Sequence, residues 1–130
     1  MIAVDSSAVM AILHEEPEFR TFRDCILGAG GAVLSAGSVV ELAAVTAGKA
    51  LASAAFDEFL LLPFIEIEPV DAEQALVAVE AYRRFGKGLH PARLNFGDTF
   101  AYALARQKKL PLLFKGRDFS LTDIEPALPA

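Results

Sequence analysis

Short apolar runs closed by a polar residue alternate along this chain with longer segments whose apolar positions recur every three or four residues. The run IAVD (2–5) reads as a strand, and SSAVMAILHEE (6–16) as the helix that follows it. After Pro17, EFRTFRDCILG (18–28) is a second amphipathic helix, and the flexible turn GAGG leads into AVLS (32–35), a second short strand. AGSVVELAAVTAGK (36–49) and ALASAAFDEFLLL (50–62) predict two more helices, the latter stopped by Pro63. FIEIEP (64–69) alternates as a strand with its Glu residues outward. VDAEQALVAVEAYRRFGKG (70–88) predicts a helix with an Asp71 N-cap and a stop at Gly86. KGLHPARLN (87–95) is a basic loop before the helix FGDTFAYALARQKK (96–109); the strand LLF (112–114), the loop KGRDFS and a last short strand around TDI (122–124) complete the pattern.

Strands this short and apolar, alternating with helices, predict an α/β fold of three layers with a short, mainly parallel central sheet. At 130 residues the chain is one domain, 1–130, with room for a sizeable core. Ligands in such folds gather at the carboxyl ends of the strands. Asp5 ends the first strand and Asp118 follows the LLF strand, so two acids far apart in sequence are predicted at that edge.

Composition changes the picture in two ways. Apolar residues make up 54% of the chain, with ten Phe and no Trp, above the usual 45–50% for a soluble domain, so part of the surplus is expected to meet another protein chain. Phe19, Phe22, Phe56 and Phe59, on the helices at 17–28 and 51–62, are candidates for a groove that takes a partner helix or a second copy, although core packing is the commoner fate of such a stripe. Charge is uneven. The net is −5, yet between Arg83 and Arg117 stand nine bases and one acid, Asp98. That segment is a candidate polyanion-facing surface, with Lys87, His90, Arg93, Lys115 and Arg117 as the candidate contacting residues. No apolar stretch approaches the roughly 20 residues of a membrane span, and no secretory signal is visible, so a cytoplasmic location is expected. Cys25, the single cysteine, is expected as a core filler, and His14 as a structural or exposed residue near a helix end.

Four acids stand in apolar or small-residue settings: Asp5 in AVDSSA, Glu41 in SVVELAA, Asp98 in NFGDTFA and Asp118 in GRDFS. Each has a plainer reading. Asp5 and Asp98 are placed to cap helices, Ser38-Val-Val-Glu41 has capping-box spacing, and Asp118 suits a turn. Brought together, four carboxylates need protons or cations, and a hard divalent ion answers that need through oxygen ligands. Such ions activate water and stabilise phosphoryl transfer. Ser6, Ser7, Ser38 and Thr99 flank the acids and are candidates to orient them by hydrogen bonds. Other motifs are thin: GAGG and GKG lack a P-loop context, the Asp-x-Asp of aspartyl-phosphate hydrolases is absent, and His14 and His90 have no metal-binding spacing.

The succession IAVDSSA, SVVELAA, LNFGDTFAYALA and LLFKGRDFSLTDI resembles the PIN-domain ribonucleases, and within them the VapC-type toxins of toxin–antitoxin pairs. The resemblance spans nearly the whole chain and implies a PIN-like α/β/α fold. It also implies an endoribonuclease dependent on Mg²⁺ or Mn²⁺, an RNA substrate, a cognate antitoxin and a homodimer. By motif position Asp5 and Asp98 resemble the principal metal ligands, and Glu41 and Asp118 match the second and fourth acids. Gly116 departs from the pattern, since many relatives carry Asp or Asn there. The rival readings are a catalytically degenerate protein-binding module and a housekeeping RNA-processing nuclease.

Overall fold

The structure, a computed structural model, describes residues 1–129. Four strands, β1 (Ile2–Val4), β2 (Ala32–Ser35), β3 (Ile65–Glu68) and β4 (Leu112–Leu113), form one sheet in the order β3-β2-β1-β4. All three pairings are parallel, with Ala3 opposite both Val33 and Leu112. The chain builds outward from β1 to β3, then returns to lay β4 on the other side of β1. The crevice between the carboxyl ends of β1 and β4 is therefore the place where strand order reverses, which is where open α/β sheets bind ligands.

Six helices cover the sheet: α1 (Ser6–Leu13), α2 (Phe19–Gly28), α3 (Ala36–Thr46), α4 (Ala50–Leu60), α5 (Ala72–Phe85) and α6 (Phe96–Lys108). The period-2 pleat of the strands divides their side chains between two cores. Ile2, Val4, Leu34 and Leu113 pack with Val9, Phe22, Phe56 and Phe59 beneath α1, α2 and α4. Ala3, Val33 and Leu112 pack with Ala81, Phe85, Tyr102 and Leu104 beneath α5 and α6. This is the expected three-layer α/β/α arrangement.

A buried polar cluster joins the two layers at the end of β2. Ser35 Oγ donates to Gln74 Oε1 at 2.5 Å, and Gln74 Nε2 donates to Pro69 O and to Gln107 Oε1, each at 3.2 Å. Gln74 is fully buried, and its amide satisfies the equally buried Ser35 hydroxyl while reaching out to Pro69 O and Gln107 nearer the surface.

Several local expectations give way. No strand forms around TDI. Residues 118–121 make a short 3₁₀ turn, Thr122 Oγ1 bonds back to Phe119 O at 2.6 Å, and the only later pairing is an isolated bridge between Leu112 and Pro126. Proline lacks the N–H that would extend a ladder at that point. On β3, Ile67 is 46% exposed alongside Glu66, because the strand is an edge whose outer half no helix covers. Phe22, Phe56 and Phe59 are buried in the first core and Phe19 is half-buried, so they do not line a groove. Among the large apolar side chains left outside are Leu51 and Leu61 of the α4 region and Val40 and Phe96. Cys25 is half-buried against the core, and burial pushes its thiol up, away from thiolate chemistry. His14 is the exposed C-cap of α1.

Candidate active site

Asp5 follows β1 directly and is only 1% exposed. It is the N-cap of α1, and Oδ2 accepts Ser7 N–H at 3.0 Å and Ser7 Oγ–H at 2.5 Å. The other oxygen, Oδ1, is buried without a hydrogen-bond partner. Capping and a role at the strand edge are thus combined in one residue, one oxygen for each.

Asp98 divides its work in a similar way. The N-cap of α6 is Asn95, which accepts Asp98 N–H at 2.9 Å, while Asp98 Oδ2 accepts Asn95 N–H at 2.9 Å. This reciprocal capping box fixes the first turn of α6 and holds the Asp98 carboxylate at that helix end.

Glu41 lies in the middle of α3, since that helix starts at Ala36 with Ser35 as its N-cap. The capping box that Ser38–Glu41 spacing offered as the plainer reading therefore does not form; Ser35, about one turn earlier, is the cap. Instead the Glu41 carboxylate rests against Gly97, immediately before Asp98, where any Cβ would overlap it. Oε1 of Glu41 is buried without a partner, and so is Oγ of Ser38 one turn earlier on α3. Asp118 opens the 3₁₀ turn after β4 and is exposed.

The carboxylates act on one another. Burial pushes the Asp5 carboxyl up to about 7; the Ser7 hydrogen bonds oppose this, and the charges of Asp98 and Glu41 add to it. Burial likewise raises Asp98 to about 6, against the pull of Asn95 N–H and with the help of Asp118 and Glu41. Asp5 thus lies within electrostatic reach of Asp98 and Glu41, and Asp98 within reach of Glu41 and Asp118. The three buried side-chain polar atoms left without partners among the described residues, Asp5 Oδ1, Ser38 Oγ and Glu41 Oε1, all belong to this region.

No group of three or more His, Cys, Asp or Glu side chains among the described residues is arranged to hold a metal ion by itself. The donor set nevertheless suits a hard cation. Mg²⁺ ordinarily takes one or two carboxylates and completes its shell with water and substrate phosphate. Orphaned carboxylate oxygens in a cluster of mutual repulsion are what such an ion would satisfy.

The flanking residues sort unevenly. Ser7, not Ser6, bonds Asp5, because position 7 faces back toward the N-cap oxygen. Thr99 Oγ1 donates to Phe96 O at 2.6 Å and not to an acid. The basic segment is partly neutralised: Arg84 and Arg106 pair with Asp123, Lys108 with Glu68, and Lys115 with Glu16 and Glu18. His90 is used internally, with Nδ1 accepting Ala92 N–H at 3.0 Å and its ring edge-on to Phe85. Lys87, Arg93 and Arg117 are exposed and have no ion-pair partner among the described residues.

Sequence reasoning missed Gly97 and Asn95. Both carry a signal: a Gly directly before an acid in an apolar helix start, and an N-x-x-D spacing across it. Gly97→Ala is expected to displace Glu41, lower the melting temperature by several degrees and reduce any activity of the site by about tenfold or more. Calorimetry and an activity assay on the same preparation check it, and an unchanged melting point with unchanged activity refutes the packing argument.

Known proteins agree with this arrangement. Residues 2–125 match the PIN domain. Ribonuclease VapC42 of Mycobacterium tuberculosis (strain ATCC 25618 / H37Rv) is 43% identical over 127 residues, covering 95% of this chain and 97% of that protein. Among solved structures, M. tuberculosis VapC20, described as a Sarcin-Ricin loop cleaving toxin, superposes with a TM-score of 0.73 at 21% identity, over 95% of this chain and 96% of that one. VapBC2 from Rickettsia felis, bound to a DNA fragment from its promoter, gives a TM-score of 0.72 at 16% identity over 97% of each chain. The two structures share the fold, while the sequence match is close and nearly end to end. With residues 2–125 matched by the family and the sequence aligned nearly end to end with a relative, the chain belongs to the PIN domain family, alongside the VapC ribonucleases.

Proposed function

We propose that this protein is a metal-dependent endoribonuclease acting as the toxin of a toxin–antitoxin pair. The observation that carries the reading is the set of buried, unpartnered oxygens on Asp5, Ser38 and Glu41, beside the carboxyls of Asp5 and Asp98, which burial and then neighbouring acids push up. A site of that kind is built for a cation, and relatives that share 38–43% of the sequence are named ribonucleases.

Asp5 and Asp98 are the principal holders of Mg²⁺ or Mn²⁺ in this reading, each with one oxygen committed to a helix cap and the other without a hydrogen bond to the protein. A bound ion of this type supplies an activated water at neutral pH and stabilises charge on the phosphodiester oxygens. Glu41, braced on Gly97, and Asp118, on the loop after β4, orient the attacking water or a second ion. Lys87, Arg93 and Arg117 are the bases free to meet the RNA backbone, which binds through phosphate contacts that fix position and carry no sequence information. His90 shapes the loop that presents Lys87 and Arg93, and Lys115 is held by its two Glu partners.

An antitoxin and a second copy of this chain are the expected protein partners. The apolar groove of about 700 Å³ beside Glu41, lined by Val40, Val70, Phe96 and Phe100, supports a subunit contact next to the acids. Phe96 at 75% and Val40 at 69% exposure are costly to leave in water. No helix among the described residues is long and apolar enough to cross a membrane.

The purified protein is expected to elute at twice its 13.9 kDa mass by light scattering. It is expected to cut structured RNA only when Mg²⁺ or Mn²⁺ is added, with EDTA abolishing the cleavage. Cleavage at full rate in EDTA defeats the metal-dependent reading. Added metal that produces no cleavage of any RNA supports the protein-binding module instead.

A further inference from the structure

Ser7 sits in the first turn of α1, and its hydroxyl is shared between two parts of the acid site. Its proton goes to Asp5 Oδ2 at 2.5 Å, and a lone pair accepts Lys115 N–H at 3.0 Å. One hydroxyl therefore joins the residue after β1 to the loop after β4, across 108 positions of sequence. Its donor and acceptor capacities are both in use, an arrangement that no alanine or cysteine reproduces.

Between Leu113, bonded to Asp5 N–H, and the buried Phe119, the loop has few side-chain contacts. Gly116 has φ +97 and nothing within 4 Å of where a Cβ would stand, so it contributes no side-chain anchor between Lys115 and Asp118. The Lys115 side chain turns away to Glu16 and Glu18 on the connection between α1 and α2. Asp5 N–H already ties the end of β4 to the site through Leu113 O at 2.9 Å, and buried Phe119 seats the far end of the loop. The backbone bond from Lys115 to Ser7 is the anchor between those two points, three residues before Asp118.

We infer that Ser7 is a positioning residue of the site: its hydroxyl holds the Asp5 carboxylate so that Oδ1 faces a cation, and fixes the loop that brings Asp118 beside Asp98. The inference rests on the metal-dependent reading and adds to it the residue that aligns two carboxylates from opposite ends of the chain. Ser6 has no such bond, and Thr99 spends its hydroxyl on Phe96 O. The Lys115 ion pairs and the Ser7 N–H cap of Asp5 survive loss of the hydroxyl, so a Ser7→Ala protein keeps its fold and loses alignment.

The test measures Mn²⁺ binding by calorimetry on the full chain without RNA, for the parent, Ser7→Ala, Ser7→Thr and Asp5→Asn, with thermal melts confirming folding. Asp5→Asn is expected to abolish binding, Ser7→Ala to weaken it about 10- to 100-fold, and Ser7→Thr, which keeps the hydroxyl, to restore it to within about threefold. Amide exchange at Lys115 is expected to quicken about tenfold or more in Ser7→Ala alone, as its acceptor is gone. If Asp5→Asn loses Mn²⁺ and Ser7→Ala binds it like the parent, the role of Ser7 is overturned while the metal reading stands. Unchanged Lys115 exchange in Ser7→Ala overturns the loop-anchoring half. If the parent binds no Mn²⁺, or Asp5→Asn binds it equally well, the metal reading falls and takes this inference with it.

Discussion

Asp98→Asn is expected to lower metal-dependent RNA cleavage by about 10²–10⁴-fold, the several kcal/mol that a bound metal contributes to a phosphoryl transition state. The substitution is chosen for what it leaves in place. Asp98 uses Oδ2 to accept Asn95 N–H and its own backbone N–H to reach Asn95 Oδ1. An amide oxygen at position 98 can accept the same N–H, so the first turn of α6 stays closed while the charge that would hold the cation is gone. A single-turnover assay at saturating Mn²⁺, with a melt of the same sample, separates chemistry from folding. Cleavage at the parental rate by a folded Asp98→Asn protein would end the proposal that this acid holds the metal.

The second large effect concerns stability without metal. The Asp5 carboxyl is raised from 3.8 to about 7, chiefly by burial. A carboxyl whose folded value lies above its unfolded one binds its proton more tightly when folded. Its favourable contribution is complete below the unfolded value and is lost as pH rises through the folded value. For Asp5 that window runs from about 4 to 7, and the loss amounts to about 4 kcal/mol once ionisation is complete. Asp98, raised to about 6 but only half-buried, moves in the same direction with a smaller, water-screened share. Asp71 and Asp123 have lowered values, so the stability they add is lost only as pH falls through the acid range below 4.

The metal-free protein is therefore expected to melt several degrees higher at pH 5.5 than at pH 8. Asp5→Asn is expected to raise the melting temperature at pH 8 and flatten its pH dependence, since Asn keeps an acceptor for Ser7 and never ionises. Saturating Mg²⁺ should flatten the parent in the same way, because binding to the ionised folded form offsets the repulsion. A parent that loses stability steadily from pH 8 to 5.5 in EDTA contradicts the buried-charge account.

Much of this was legible in the chain. The apolar runs around Ile2, Val33 and Leu112 announced the parallel strands, because a sheet covered on both faces needs side chains that can be buried whichever way they point. Asp5 and Asp118 were placed at the carboxyl edge by topology alone. The start of α3 at Ala36 was legible from the end of the AVLS run, whereas the Ser38–Glu41 spacing stayed ambiguous because Ser35 and Ser38 are both good caps. Nor could spacing tell Ser7 from Ser6, a choice made by the direction of the first turn of α1. The basic segment looked freer than it is, because Asp123, Glu68, Glu16 and Glu18, which neutralise part of it, lie elsewhere in sequence. The Phe stripes were ambiguous because a core helix and a docking helix carry the same period.

The placement of β1 between β2 and β4 bears on the order of events during synthesis. A chain growing from its N-terminus can pair β1 with β2 as soon as residue 35 is free, and the whole β3-β2-β1 ladder can form before β4 exists. Through that interval β1 presents an unpaired edge, and the position that Asp118 will occupy is empty. Contacts of such long sequence separation are slow to close. The full set of acids therefore comes together only after residue 118 has emerged, and a ribosome carrying the unfinished chain faces a scaffold that does not yet hold the assembled site.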